Sequence, residues 1–155
     1  MPTKRAAAAP TPRARVVLHA LPGTKKAHEV CRLVERLLGQ RHRLAVWFSD
    51  AGRAEVLNQY LWTFSQSSFV PHGMWREGDP VEDPVVLVVG SVASLPAEYE
   101  TLVVADRAED LTPFARFVEI HDLVARSAED QGKRKAWQAA GFAVQDAGGT
   151  SSREE

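Results

Sequence analysis

Residues 85–89 read Val85-Val86-Leu87-Val88-Val89, five consecutive branched apolar residues with no polar position among them. A strand with one wet face alternates apolar and polar side chains. An unbroken run means burial on both faces, the habit of a central parallel strand. Working outward, the same signal recurs at Val16-Val17-Leu18 and Leu44–Phe48 upstream, and at Leu102–Ala105 and Phe117–Val124 downstream. Between these runs the period changes. Val30, Leu33, Val34, Leu37 and Leu38 recur at helical spacing within Lys26–Leu38, with Gly39 as the stop. Asp50 offers a cap for a helix over Arg53–Trp62, and Ala128–Ala140 reads as a last helix ended by Gly141. Thr63 to about Asp83 reads as a long loop punctuated by Pro71, Gly73, Gly78 and Pro80. A short helical turn is expected near Pro113–Ala115. Strands alternating with helices predict an α/β domain, with a mostly parallel five-stranded sheet and helices on both faces.

The two ends differ from the middle. Met1–Arg15 carries Lys4, Arg5, Arg13 and Arg15 with no acid, and residues from Gln145 on read QDAGGTSSREE. Such composition buries too little surface to offset ordering entropy. The expected organisation is a basic tail over 1–15, a domain over 16–143, and a polar tail over 144–155.

Composition bounds the function classes. The 155 residues are 45 % hydrophobic and 25 % charged, with a formal net charge of −1. A chain so balanced does not coat nucleic acid through its whole-molecule field, so contact with DNA is expected to be local or indirect. No apolar run approaches the ~20 residues a membrane span needs, and no signal-peptide pattern opens the chain. Cys31 is the single cysteine, so no internal disulfide ties the fold to an oxidising compartment. A cytoplasmic setting is the expectation.

Motifs for chemistry are missing where an α/β sheet would carry them. After the first strand the chain reads His19-Ala20-Leu21-Pro22-Gly23-Thr24-Lys25-Lys26. A phosphate loop needs an earlier glycine and a Gly-Lys pair, whereas here Gly23 precedes threonine and Pro22 removes a donor. No nucleotide-binding loop is expected, and no cofactor. His19, His28, His42, His72 and His121 are too dispersed to suggest a metal site. Cys31, on the apolar side of its helix, reads as a small buried hydrophobe. Ser65–Ser68 lacks the glycines of a nucleophile elbow. No enzyme is expected.

Two segments carry more than core residues. Trp62, Phe64, Phe69 and Trp75 crowd into one mostly polar stretch that also holds Val70-Pro71-His72. Aromatics in such a loop either anchor it to the core or await a partner. The second segment places Lys133, Arg134 and Lys135 beside Trp137 on a helix. Cations next to an apolar notch suit an acidic peptide with a hydrophobic end, although basic residues also complement a helix dipole.

The run Leu61-Trp62-Thr63-Phe64 with Ser68-Phe69-Val70-Pro71-His72, and Lys135-Ala136-Trp137 with Ala140-Gly141-Phe142, resembles the chi subunit of bacterial DNA polymerase III holoenzyme. Cys31-Arg32-Leu33 and the stretch from Leu102 to Val124 share the likeness, which covers about Val16–Phe142. The resemblance implies a non-catalytic, Rossmann-like accessory subunit of the clamp-loader complex. It implies one face for the psi subunit or, competitively, a Rad3/XPD-type helicase, at Trp62, Phe69, Val70, Pro71 and His72. It implies a second face for the C-terminal tail of single-stranded DNA-binding protein (SSB), whose acidic residues are followed by Pro-Phe and a free carboxylate. That pocket would involve Val124, Lys133, Arg134, Lys135 and Gly141, with DNA reached only through SSB. One departure stands out: the family's arginine one turn before the Lys135 position is Gln131 here.

Overall fold

The computed structural model describes residues 14–21, 25–40, 43–63, 70–76, 79, 83–125 and 128–147. In chain order the elements are β1 (Arg15–Ala20), α1 (Lys26–Gly39), β2 (Leu44–Phe48), α2 (Ala51–Thr63), β3 (His72–Trp75), β4 (Val85–Val89) and β5 (Thr101–Val104). A 3-10 turn (Thr112–Arg116), β6 (Glu119–Val124), α3 (Ala128–Gln131), α4 (Lys133–Ala139) and β7 (Ala143–Asp146) follow. The strands form one seven-stranded sheet in the order β3-β4-β2-β5-β6-β1-β7, and every pairing is parallel.

The valine-rich stretch is β4, between β3 and β2, with Val85, Val86, Leu87 and Val88 all buried. Its side chains alternate between two cores. Val86 and Val88 join Trp47, Leu102, Ile120, Phe114, Phe117 and Trp137 on one face of the sheet. Val85 and Leu87 join Val46, Val103, Val30, Val34, Leu57 and Leu61 beneath α1 and α2 on the other. Helices therefore cover both faces, as a parallel sheet requires.

The sheet has seven strands rather than the five expected. Both additions, β3 and β7, are four-residue strands at opposite edges. β3 lies inside the stretch read as a loop. It includes Gly73 and buries only His72 and Trp75, so it lacks the continuous apolar signal. β7 carries the domain through Asp146, past the expected boundary at 143, and β1 begins at Arg15. Backbone pairing to β1 recruits Ala143–Asp146 although only Val144 is half-buried and Gln145 and Asp146 are polar. The last helix is two pieces, separated at Gly132. Cys31 is fully buried, as expected. Phe64, Phe69, Pro22-Gly23-Thr24, Ser65–Ser68, His42 and nearly all of both expected tails lie outside the described residues.

Candidate functional site

A groove of about 390 Å³ opens at the carboxyl ends of β1, β6 and β7. The helix after β1 packs on one sheet face, while α4 after β6 packs on the other. Diverging connections leave a crevice outside the strand ends, the usual ligand position in parallel α/β sheets. Leu18, Leu21 and Val124 form its apolar side, and Asp130, Gln131, Arg134 and Asp146 its polar side. The expected Val124 and Arg134 thus meet in one groove. Asp146 and Leu21 belong to it as well. Composition alone places Asp146 in a polar tail, and nothing around Leu21 in the sequence marks it as a groove residue.

Arg134 pairs with Asp146, and both side chains remain solvent-accessible, at 42 % and 60 % exposure. Lys135 is exposed one residue further along α4. Gln131 donates from Nε2 to the Ala125 carbonyl at 3.2 Å. Lys133, expected among the ligand-facing cations, turns inward instead and is only 11 % exposed. Its ammonium donates to Asp122 Oδ1 at 3.0 Å and the Leu123 carbonyl at 2.7 Å, and lies 3.7 Å from Asp130 Oδ2.

Asp122 lies on β6, Asp130 on α3 and Asp106 just past β5. Asp122 accepts Lys133 on one oxygen and the Trp137 indole N–H on the other at 2.9 Å. Burial pushes its carboxyl up from the ordinary value, while Lys133 and Trp137 pull the other way. Asp130 is also desolvated, but the Ala125 N–H at 2.8 Å and the cations Lys133, Lys26 and Arg107 hold it below the usual range. Asp106, between β2 and β5, accepts from Ser49 N and Oγ, Arg53 and the Arg107 N–H. Those donors outweigh its burial and keep it low. Lys133, Arg107 and Arg53 are each engaged by one of these carboxylates, so an incoming anion meets the Arg134 rim instead.

Gly141 has φ +97°, beyond the end of α4. The Gly141 N–H donates to the Gln138 carbonyl at 3.0 Å and the Phe142 N–H to the Trp137 carbonyl at 3.1 Å. Phe142 packs edge-on against Trp137 with ring centroids 5.0 Å apart. This is a Schellman ending with its apolar contact, and only glycine adopts that φ cheaply. Gly141→Ala should cost about 1 kcal/mol, read as a lower urea midpoint at unchanged slope. An unchanged midpoint would refute the strain.

The second set of expected residues divides between core and surface. Val70 is buried in the α1–α2 core, and Pro71 is half-buried. His72 is buried, with Nδ1 donating to the Val70 carbonyl at 2.7 Å and Nε2 lying 3.0 Å from Asn58 Oδ1. Trp62 is 53 % exposed and lies against His72 with ring centroids 4.6 Å apart and the planes tilted by 50°. Among the described residues, Val56, Tyr60, Trp62, Met74 and Val118 are the exposed large hydrophobics, and α2 with β3 supplies all but Val118. They flank α2 on two sides, Tyr60 toward His28 of α1 and Trp62 toward His72 of β3.

Among the described residues, no helix is long and apolar enough to cross a membrane and no cluster of metal-ligating side chains is found. Residues 14–145 match the family model described as DNA polymerase III chi subunit, HolC. A protein of Rickettsia prowazekii (strain Madrid E) called probable DNA polymerase III subunit chi is 29 % identical over 58 residues, 37 % of this chain and 35 % of that protein. The aligned segment thus spans about a third of that relative, whereas the family match runs from β1 into β7. With the all-parallel sheet, this chain belongs to the DNA polymerase III chi subunit family, accessory subunits of the polymerase holoenzyme.

Proposed function

We propose that the groove between α4 and the ends of β1 and β6 takes the acidic C-terminal tail of SSB, so that this subunit links SSB-coated DNA to the polymerase III clamp-loader complex. One observation carries the reading: an apolar wall of Leu21 and Val124 faces a solvent-accessible guanidinium, Arg134, in a crevice of about 390 Å³. A terminal phenylalanine fits against the wall while its carboxylate replaces Asp146 on Arg134, with exposed Lys135 steering the acidic peptide toward the groove. Lys133 supports the floor from below, and Gly141 ends the helix that carries the cations. Each contact is weak, but many tails on one coated strand raise the effective concentration. At a net charge of −1 the subunit reaches DNA through SSB, at replication forks in the cytoplasm.

Fluorescence anisotropy of a labelled SSB C-terminal peptide tests this directly. Arg134→Glu should raise Kd about tenfold or more at low salt, because it exchanges an attraction for a repulsion. Asp146→Asn should tighten binding by releasing Arg134, and deleting the terminal Phe should abolish it. Equal affinity for the wild type and Arg134→Glu would refute the groove assignment.

The α2–β3 face supports a second reading, docking of the psi subunit or, alternatively, a Rad3/XPD-type repair helicase. Trp62 is exposed yet pinned against a buried, doubly bonded His72, which makes it a preorganised anchor. Capture of native partners on wild type but not Trp62→Ala would support it, and the partner's identity would separate replication from repair. Val70, Pro71 and His72 stay in this face as proposed, Val70 and His72 acting from beneath, while Phe69 lies outside the described residues.

A further inference from the structure

A second groove, of about 500 Å³, lies against α1 on the opposite face of the sheet. His19, Ala20, Glu29, Arg32, Arg36 and Ala147 line it. The two grooves meet at the strand ends. Both touch Ala20, and Leu123 and Ala147 of this groove directly adjoin Val124 and Asp146 of the other. A chain leaving the Arg134 groove over the ends of β1 and β7 enters this one.

Its charge is cationic at neutral pH. Arg32 and Arg36 are exposed and one turn apart on α1, so they share a helix face. Glu29 reaches Arg32 only loosely, at 3.8 Å. No carboxylate lies within ion-pair distance of Arg36 among the described residues. His19 adds a neutral wall: burial, His121 and Arg36 lower its value to about 4, against Glu119.

We propose that this α1 groove is a second subsite for the same peptide, receiving the acidic residues that precede its apolar end on Arg32 and Arg36. The inference rests on the docking reading above. It assigns the two chemical halves of one ligand to the two sheet faces, the carboxyl-terminal apolar end to the Arg134 groove and the acidic stretch to α1. Five extended residues span at most about 17 Å, and the grooves adjoin at Ala20 and at the neighbouring pairs Leu123–Val124 and Asp146–Ala147.

Two peptides separate the subsites. The long one carries the acidic stretch and the apolar carboxyl end, and the short one only its last three residues. Anisotropy follows the long peptide, and amide chemical shifts of Arg134, Arg32 and Arg36 follow both. Arg32→Glu with Arg36→Glu should weaken the long peptide about tenfold at low salt and flatten its salt dependence. The short peptide should move the Arg134 amide equally in wild type and variant. Arg32 and Arg36 amides should move only with the long peptide. A loss of the same size for both peptides, or none for the long one, would overturn the subsite while the docking reading stands. If neither peptide binds the wild type, both fall together.

Discussion

Trp137→Ala should remove about 3–5 kcal/mol of stability, a large share of the roughly 5–15 kcal/mol a domain commonly has. Trp137 is 1 % exposed and is the buried residue of α4. It packs against Phe142 at 5.0 Å and Phe114 at 6.1 Å between ring centroids, so truncation opens a cavity among aromatics. It also strips one oxygen of the buried Asp122 of its donor. The two losses differ in kind, and Trp137→Phe apportions them. Phenylalanine keeps an aromatic ring in the core but loses the N–H and part of the indole volume, for about 1–3 kcal/mol. Urea unfolding followed by far-ultraviolet circular dichroism reads both, since indole fluorescence changes with the substitution itself. Trp137 is also the anchor that sets α4 against the sheet, so the surviving folded fraction should bind the acidic peptide more weakly. A Trp137→Ala protein as stable as wild type would mean that α4 is held by something other than its one buried side chain.

The contrast between what was legible and what was not follows from burial. Leu44–Phe48 and Val85–Val89 match the observed strands residue for residue, because strands covered on both faces must be apolar throughout. His72–Trp75 and Ala143–Asp146 carry no such constraint. Each has a neighbour on one side only, and main-chain pairing holds them whatever their side chains. Missing β7 hid Asp146, and with it the pairing that Arg134 makes in the free protein. The basic run predicts a helix but not which way its cations point. Lys133, Arg134 and Lys135 are adjacent in sequence, yet a helix turns about 100° per residue and fans them apart. Lys133 faces the carboxylates under α4, Arg134 the groove and Lys135 the solvent. Nothing local in the sequence marks which member turns inward. The signal lay a strand away, in Asp122, an acid inside a run otherwise suited to a buried strand.

That placement makes Lys133 a stability residue. Lys133→Met should cost about 3–5 kcal/mol, the size typical for removing one member of a buried ion pair. The methylene stem survives, so little packing is lost. What is lost is the charge between Asp122, 4 % exposed, and Asp130, 11 % exposed. Asp122 already has its carboxyl pushed up by burial, and without the ammonium it is pushed further. A carboxyl raised in the folded state binds its proton more tightly there than in the unfolded chain, so stability falls as pH rises through the folded value. The penalty for Lys133→Met should therefore be largest at pH 8 and shrink on acidification toward the ordinary carboxylate range. Adding Asp122→Asn should recover part of the loss at pH 8, because no buried anion then remains at that position. A direct contact with the peptide ligand predicts a different pattern: near-normal stability, a raised Kd, and no rescue by Asp122→Asn. Urea midpoints across pH, with peptide affinity measured on the folded fraction, decide between a strut beneath the groove and a cation within it.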